Sequence, residues 1–314
     1  MGTPNPTRDP SQGDVRLGSR GSPLALWQAG QAADALQAHY PELNIATVVV
    51  KTSGDRDQST PLDHLPHPGY FTKELEASLL AGAIDVAVHS LKDMAAKVGE
   101  PFQVAAILPR GPAGDVLVLH PRHADEQALP PKPAILTGSV RRAQQLRTLY
   151  PGCQVLPVRG NIHTRLRKLG EQQVDALVMA AAALDRLGIT GYTTVALPLD
   201  KMIPAPGQGA IALETLADRV DLTALLNPLE SPAARRATDM ERHFAYLLEG
   251  GCSLPLGAHA WVDSGGGAMV FLASLGPDSD ALPVYQRMEV SAGDDPIEAA
   301  AMMANRFKNI GTRA

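Results

Sequence analysis

Along most of the chain, short runs of aliphatic and β-branched residues alternate with longer stretches in which apolar residues recur every third or fourth position. The short runs predict buried strands, and the three-to-four spacing predicts amphipathic helices. A strand over 15–18 leads through Ser19-Arg-Gly-Ser-Pro into a helix over 24–40. Ser22 is its expected N-cap, and Pro23 takes the first helical position, where a missing N–H goes unnoticed. A strand over 45–51 runs into Thr52-Ser-Gly-Asp, and the polar, proline-rich segment 56–69 reads as a long loop. A helix over 71–81 and a buried strand over 84–89 follow, ending in Ser90-Leu-Lys-Asp.

After a proline- and glycine-rich passage over 109–114, a second series opens, with strands over 116–119, 134–136, 155–158 and 176–179. Its helices cover 140–149 and a segment ending at Leu169, and an alanine-rich turn precedes Leu184-Asp-Arg. Strands alternating with helices predict parallel α/β sheets in two domains. From about Ser231 the pattern changes to a helix reaching Leu248, glycine-rich strands, a hairpin across Gly276-Pro-Asp and a helix over 296–307. That is the pattern of a smaller α+β domain.

Composition narrows the function classes. Hydrophobic residues make up 45% of the 314 and charged residues 19%, the balance of an ordinary globular protein. Aromatics are only 4% and the net charge is -5, which leaves no stacking platform and no electrostatic case for nucleic acid or an anionic membrane. No apolar run approaches the roughly 18 residues that a membrane span needs. Residues 1–14 are polar and proline-broken, without the basic and apolar regions of a secretory leader, and read as a disordered lead-in. A cytoplasmic protein with free thiols is therefore expected, and its two cysteines are Cys153 and Cys252. The nine histidines are scattered without ligand spacing, so no metal site is expected.

Ligands of α/β sheets bind beyond the carboxyl ends of the strands, where helix N-termini present free N–H groups. The loops expected there carry Arg20 and Ser22, Lys92 and Asp93, Ser139 with Arg141 and Arg142, Arg159 with Asn161 and Arg165, and Arg186. Cations recurring at these junctions of an acidic chain point to a ligand bearing several carboxylates or phosphates, which guanidinium groups clasp in bidentate fashion. Charge alone does not separate the two, and neither a GxxxxGK[ST] loop nor a dinucleotide fingerprint is present. Asp93 either pairs with Lys92 or faces a cation or N–H group of the substrate. Cys252 follows Gly250-Gly251, and its surroundings leave an inert thiol, a nucleophile and an attachment point all open.

Taken in order, the strings LGSRGSPLALWQ (17–28), FTKELE (71–76), HSLKD (89–93), SVRRAQQL (139–146), VRGNIHTRLRKL (158–169), PGQGAIALE (206–214) and LEGGCSLP (248–255) resemble the porphobilinogen deaminase, or hydroxymethylbilane synthase, family. The resemblance covers nearly everything after residue 14. It implies two α/β domains like those of type II periplasmic binding proteins, 15–110 with 207–228 and 111–206, and a small α+β domain over 229–314. It also implies a transferase that deaminates porphobilinogen, adds the resulting azafulvene to a primer, repeats this four times and releases hydroxymethylbilane by hydrolysis.

The primer would be a dipyrromethane joined by a thioether to Cys252. Its side chains would be held by Lys92, Asp93, Ser139, Arg141, Arg142, Arg165, Gly207 and Gln208, and the substrate by Arg20, Ser22, Gln28, Phe71, Ser90, Arg159, Asn161 and Arg186. Asp93, assisted by Lys92, would carry the chemistry by stabilising positive charge as ammonia leaves. A monomer, with porphobilinogen as its small-molecule partner, is implied too. The chain departs from the family pattern at Ala95-Ala96, at Leu136-Thr-Gly-Ser, at Pro68-Gly-Tyr and at Ala182-Ala183. The residues alone leave a non-catalytic anion-binding protein on the same scaffold as the alternative.

Overall fold

A computed structural model describes residues 14–53, 72–123, 129–248, 254–262, 268–276 and 282–311. The chain starts with β1 (Asp14–Ser19), α1 (Pro23–His39), β2 (Asn44–Val49), α2 (Lys73–Leu80), β3 (Val86–Ser90) and β4 (Phe102–Ile107). It continues through β5 (Asp115–Leu119), β6 (Ala134–Leu136), α3 (Val140–Leu149), β7 (Gln154–Leu156), α4 (Ile162–Glu171), β8 (Ala176–Ala180), α5 (Ala181–Arg186) and β9 (Thr194–Ala196). β10 (Ile211–Leu216) and α6 (Val220–Leu226) then return to the first sheet. The last part comprises α7 (Pro232–Leu247), β11 (Leu256–Val262), β12 (Met269–Leu275), β13 (Val284–Val290) and α8 (Pro296–Gly311).

The first sheet has the order β2-β1-β3-β10-β4 and the second β7-β6-β8-β5-β9. They share one plan, with β6, β7, β8, β5 and β9 in the places of β1, β2, β3, β10 and β4. In both, the strand entering from the other lobe runs antiparallel to its neighbours, β10 against β3 and β4, β5 against β8 and β9. The sheets are thus mixed, not parallel as the strand–helix alternation suggests. A strand that arrives through the hinge starts at the edge where the others end, so it has to run the opposite way. The paired lobes and a three-stranded antiparallel sheet, β11-β12-β13, make up the expected class of two α/β units plus a small α+β unit.

Local chemistry explains the elements. Ser22 Oγ accepts from Ala25 N at 3.3 Å, Ser139 Oγ from Arg142 N at 3.4 Å, and Asn161 Oδ1 from Thr164 N at 2.9 Å, starting α1, α3 and α4. Ala25, Ala29, Ala32 and Leu36 form the helical stripe of α1 that is buried against the sheet. β8 is buried at every position and β3 at all but its last, which is why both read as continuous apolar runs. The alanine-rich segment after β8 is the helix α5 rather than a turn, in keeping with the helix propensity of alanine. β4 and β9 have no sequence signal as clear as that of β3, and pairing with β10 and β5 defines them. Around Phe244 the third core is aromatic: Phe271 lies 5.6 Å away and Phe307 5.5 Å away, both edge to face. The loop 56–69, the turn after Gly276 and residues 1–13 of the expected lead-in lie outside the described residues; Asp14, counted with that lead-in, instead opens β1, paired with Asn44.

Two crossovers join the lobes and touch each other, Gly111 N donating to Gly209 O at 3.0 Å. Gly209 has φ +86°, and a Cβ there would lie 2.6 Å from the Gly111 carbonyl oxygen and 3.0 Å from that of Pro112. Both obstacles are backbone and cannot swing aside. Gly209→Ala should therefore lower stability by about 2 kcal/mol or more, the left-handed conformation alone costing ~1–2 kcal/mol. Thermal or urea unfolding of the purified variant checks this, and an unchanged midpoint would contradict the tight crossing.

Candidate active site

The carboxyl ends of both sheets face one cavity of about 750 Å³, within the ~300–1,000 Å³ usual for small-molecule sites. The N-termini of α1, α3 and α4 open onto it through Ser22, Ser139 and Asn161. The third unit closes one side with Arg242, Ala245, Leu254 and Leu256.

Its charge is one-sided. Among the described residues, the wall carries Arg20, Lys51, Lys92, Arg141, Arg142, Arg159, Arg165 and Arg242, against the single carboxylate of Asp93. Removal of water by the cavity walls pulls the Lys92 ammonium down to about 8, and Arg142 pushes the same way, while Asp93 opposes. Arg165 is lowered to about 10, first by burial and then by Arg142, with Asp93 again opposing. Two helix-borne arginines converge on the buried Asp115: Arg141 Nη2 donates to its Oδ2 at 2.8 Å and Arg142 Nη2 to its Oδ1 at 2.7 Å. Burial works to raise the Asp115 pKa, but Arg142 and Arg141 outweigh it and hold this carboxyl well below the ordinary range.

Most of the expected residues meet here. Arg20, Ser22, Ser90, Lys92, Asp93, Ser139, Arg141, Arg142, Arg159, Asn161, Arg165 and Gln208 all line the cavity. Gln28 lines an adjoining recess of about 60 Å³ that it shares with Arg20, Ser22, Ser90 and Asp93, and its Nε2 donates to Ser90 Oγ at 2.8 Å. Beneath that recess, buried His89 Nε2 lies 2.9 Å from Glu214 Oε2, tying β3 to β10 where the Lys92–Asp93 turn begins.

Two expected residues lie off the cavity wall. Gly207, at φ +73°, donates its N–H to Glu241 Oε2 at 2.7 Å and shapes the second crossover. Arg186 sits 5.4 Å over the Trp27 ring, and its Nη2 donates to Gly209 O at 2.6 Å, bridging α5 to α1 and to the hinge. Phe71 and Cys252 lie outside the described residues.

Three residues at or beneath the cavity wall carry charge that the sequence reading did not single out. Lys51 stands two residues past the end of β2 and obeys the strand-end rule that singled out the others, so its signal was present. Arg242 comes from α7 and donates to Ala95 O at 2.8 Å, and only packing of the third unit brings it here. Asp115 had no local signal, because its partners stand 26 and 27 residues away.

Comparison with known proteins identifies relatives. A family model described as "Porphobilinogen deaminase, dipyromethane cofactor binding domain" matches residues 15–224. The porphobilinogen deaminase of Syntrophus aciditrophicus is 39% identical over 95% of this chain and 96% of its own length. That of Laribacter hongkongensis is 42% identical over 78% of this chain and 80% of its own. The Chromobacterium violaceum protein of the same name is 38% identical, covering 93% and 99% respectively.

The lowered ammonium of Lys92 has a pH signature. Below about 8 it is charged and attracts an anionic ligand; as pH rises through about 8 that attraction is lost. Calorimetric titration with a soluble polycarboxylate should show affinity falling across that step, while Lys92→Arg, which stays charged, should remove the step. The same decline in both proteins would rule out Lys92 as its source.

Proposed function

Because the chain belongs to the porphobilinogen deaminase family, we propose that its cavity is where porphobilinogen units are joined head to tail, with loss of ammonia, to give hydroxymethylbilane. The activity is that of a transferase in tetrapyrrole biosynthesis. The observation that supports this site best is a wall of lysines and arginines around one carboxylate. Each pyrrole carries an acetate and a propionate, so a growing chain is a polyanion, while the centre that loses ammonia becomes a cation. A polyanion with one transient cation calls for many guanidinium groups and one carboxylate. The relatives support this reading over a non-catalytic anion-binding protein.

The residues fit a bound dipyrromethane. Arg142 keeps a buried Nε without a partner, and with Arg165, Lys92 and Ser139 it offers donors to the acetates and propionates of that group. When bound, the dipyrromethane supplies the free pyrrole end to which an incoming unit is joined. We assign its anchor to Cys252 through a thioether; Leu254, two residues on, lines the cavity.

Arg20, Ser22, Gln28, Ser90, Arg159 and Asn161 hold the incoming substrate, and Asp93 faces its pyrrole N–H and the carbon that loses ammonia. Away from water, a carboxylate aimed at a developing cation contributes a few kcal/mol to the transition state. Lys92 holds a ligand carboxylate beside Asp93 and so keeps the reacting carbon in place. Arg186 contacts Trp27 and Gly209 beside the second crossover. Residues 15–110 with 207–228, 111–206 and 229–314 are the three domains of a cytoplasmic monomer in this reading.

The intact mass of the denatured protein tests the anchor. It should exceed the chain mass by two porphobilinogen units less two ammonias, and Cys252→Ala should lack that excess. An unmodified mass after incubation with porphobilinogen would refute the assignment. Asp93→Ala should lower kcat by about 10²–10³ with little effect on primer mass once loaded; near-normal turnover would remove Asp93 from the chemistry.

A further inference from the structure

Asp115 is the first residue of β5, where the chain enters the second lobe, and its side chain is fully buried. Its Oδ2 accepts from Arg141 Nη2 at 2.8 Å; its Oδ1 accepts from Arg142 Nη2 at 2.7 Å and from Gln208 Nε2 at 2.8 Å. Gln208 belongs to the second crossover, also donates to Ala113 O of the first at 2.7 Å, and accepts from Lys92 Nζ at 3.4 Å. Arg141 is held from a second side, its Nη1 donating to Ile203 O at 2.6 Å. One carboxylate thus ties both crossovers to the start of α3.

The two arginines differ in what they have left to give. Both terminal nitrogens of Arg141 are engaged by Asp115 and Ile203. Arg142 has one short bond, to Asp115, a long 3.4 Å contact from Nη1 to Val178 O, and a buried Nε with no partner. One negative charge between two positive ones leaves an excess cation on the cavity wall, and Arg142 is the group with donors to spare. Without Asp115 the neighbouring guanidinium groups would repel each other, and the Arg142 fork would lose its only short tether among the described contacts.

We propose that Asp115 is a positioning residue that aims Arg142, beyond its hold on the primer, at the carboxylates of the incoming pyrrole unit, so that substrate affinity depends on it while the chemical step does not. This rests on the function proposed above. A carboxylate clamp acts alike on bound substrate and transition state, so its loss appears in KM and leaves kcat nearly unchanged. A purely architectural role would instead reduce the fraction of working enzyme and leave KM alone.

The test is steady-state turnover of porphobilinogen by holoenzyme, per primer-bearing molecule as counted by intact mass, for wild type, Asp115→Asn and Asp115→Glu. Asp115→Glu keeps the buried charge paired but lengthens the side chain by one methylene, so it remains informative if Asp115→Asn fails to fold. KM should rise at least about tenfold with kcat changed less than about threefold, and primer occupancy should fall. In a cycle with Arg142→Lys, the effects on KM should be non-additive, because one residue acts through the other. A folded Asp115→Glu enzyme with wild-type KM and full primer occupancy would overturn the proposal, as would additive effects in the cycle. Wild-type protein that carries no primer and turns over no porphobilinogen would sink the functional reading instead.

Discussion

The cavity depends on a buried carboxylate that is not in it. Glu241, on α7 of the third unit, has no exposure and receives both terminal nitrogens of Arg110, from the first crossover, at 2.7 and 3.0 Å. The N–H groups of Gly207, in the second crossover, and of Ala260, in β11, also reach it at 2.7 Å, and His259 Nδ1 lies 3.3 Å away. Burial raises its pKa, but Arg110 foremost and His259 next bring it down to about 2, so it is ionised at any ordinary pH. The partners come from three separate segments of chain, the two crossovers and β11, and breaking such a pair from one side costs ~3–5 kcal/mol. The space between the sheets has its shape because this junction holds all three units around it.

With that frame set, the cavity can hold an unfavourable charge distribution. A net charge of -5 for the whole chain conceals a site lined by cations. Burial strips water from Lys92 and Arg165, and the neighbouring cation Arg142 adds repulsion, so the pKa values of both groups are lowered. Asp115 and Glu241 relieve part of that repulsion by pairing with Arg141, Arg142 and Arg110, which keeps those groups in place without neutralising the wall. A polyanionic ligand relieves the rest. A wall of this charge favours multiply anionic molecules over neutral ones.

Much of this was legible residue by residue. The caps Ser22, Ser139 and Asn161 start helices because short polar side chains satisfy N–H groups within three residues, an interaction complete within the local sequence. β3 and β8 announce themselves because strands covered on both faces have to be apolar throughout. The strand-end rule then placed Arg20, Lys92, Asp93, Arg142, Arg159 and Arg165 on one cavity, since helix N-termini and strand ends share an edge in any α/β lobe. Lys51 obeys that rule equally well.

The sequence by itself determined most of the elements, though not β4, β9 or α5, together with the class of the lobes and the cationic character of their shared edge, because each follows from interactions spanning a few residues or one repeating period. Only the tertiary structure decided the direction of β5 and β10, the arrival of Arg242 from the third unit, and which protein groups each arginine pairs with. Arg141 and Arg142 are adjacent and chemically identical, yet one is spent on Asp115 and Ile203 while the other keeps an Nε that has no partner among the described residues. Arg186, expected at the ligand from its place after β8, lies over Trp27 and donates to Gly209 O, contacts that no local pattern announces. What a guanidinium group does depends on which acceptors lie within about 3 Å of it, and for buried arginines those acceptors come from chain far away in sequence.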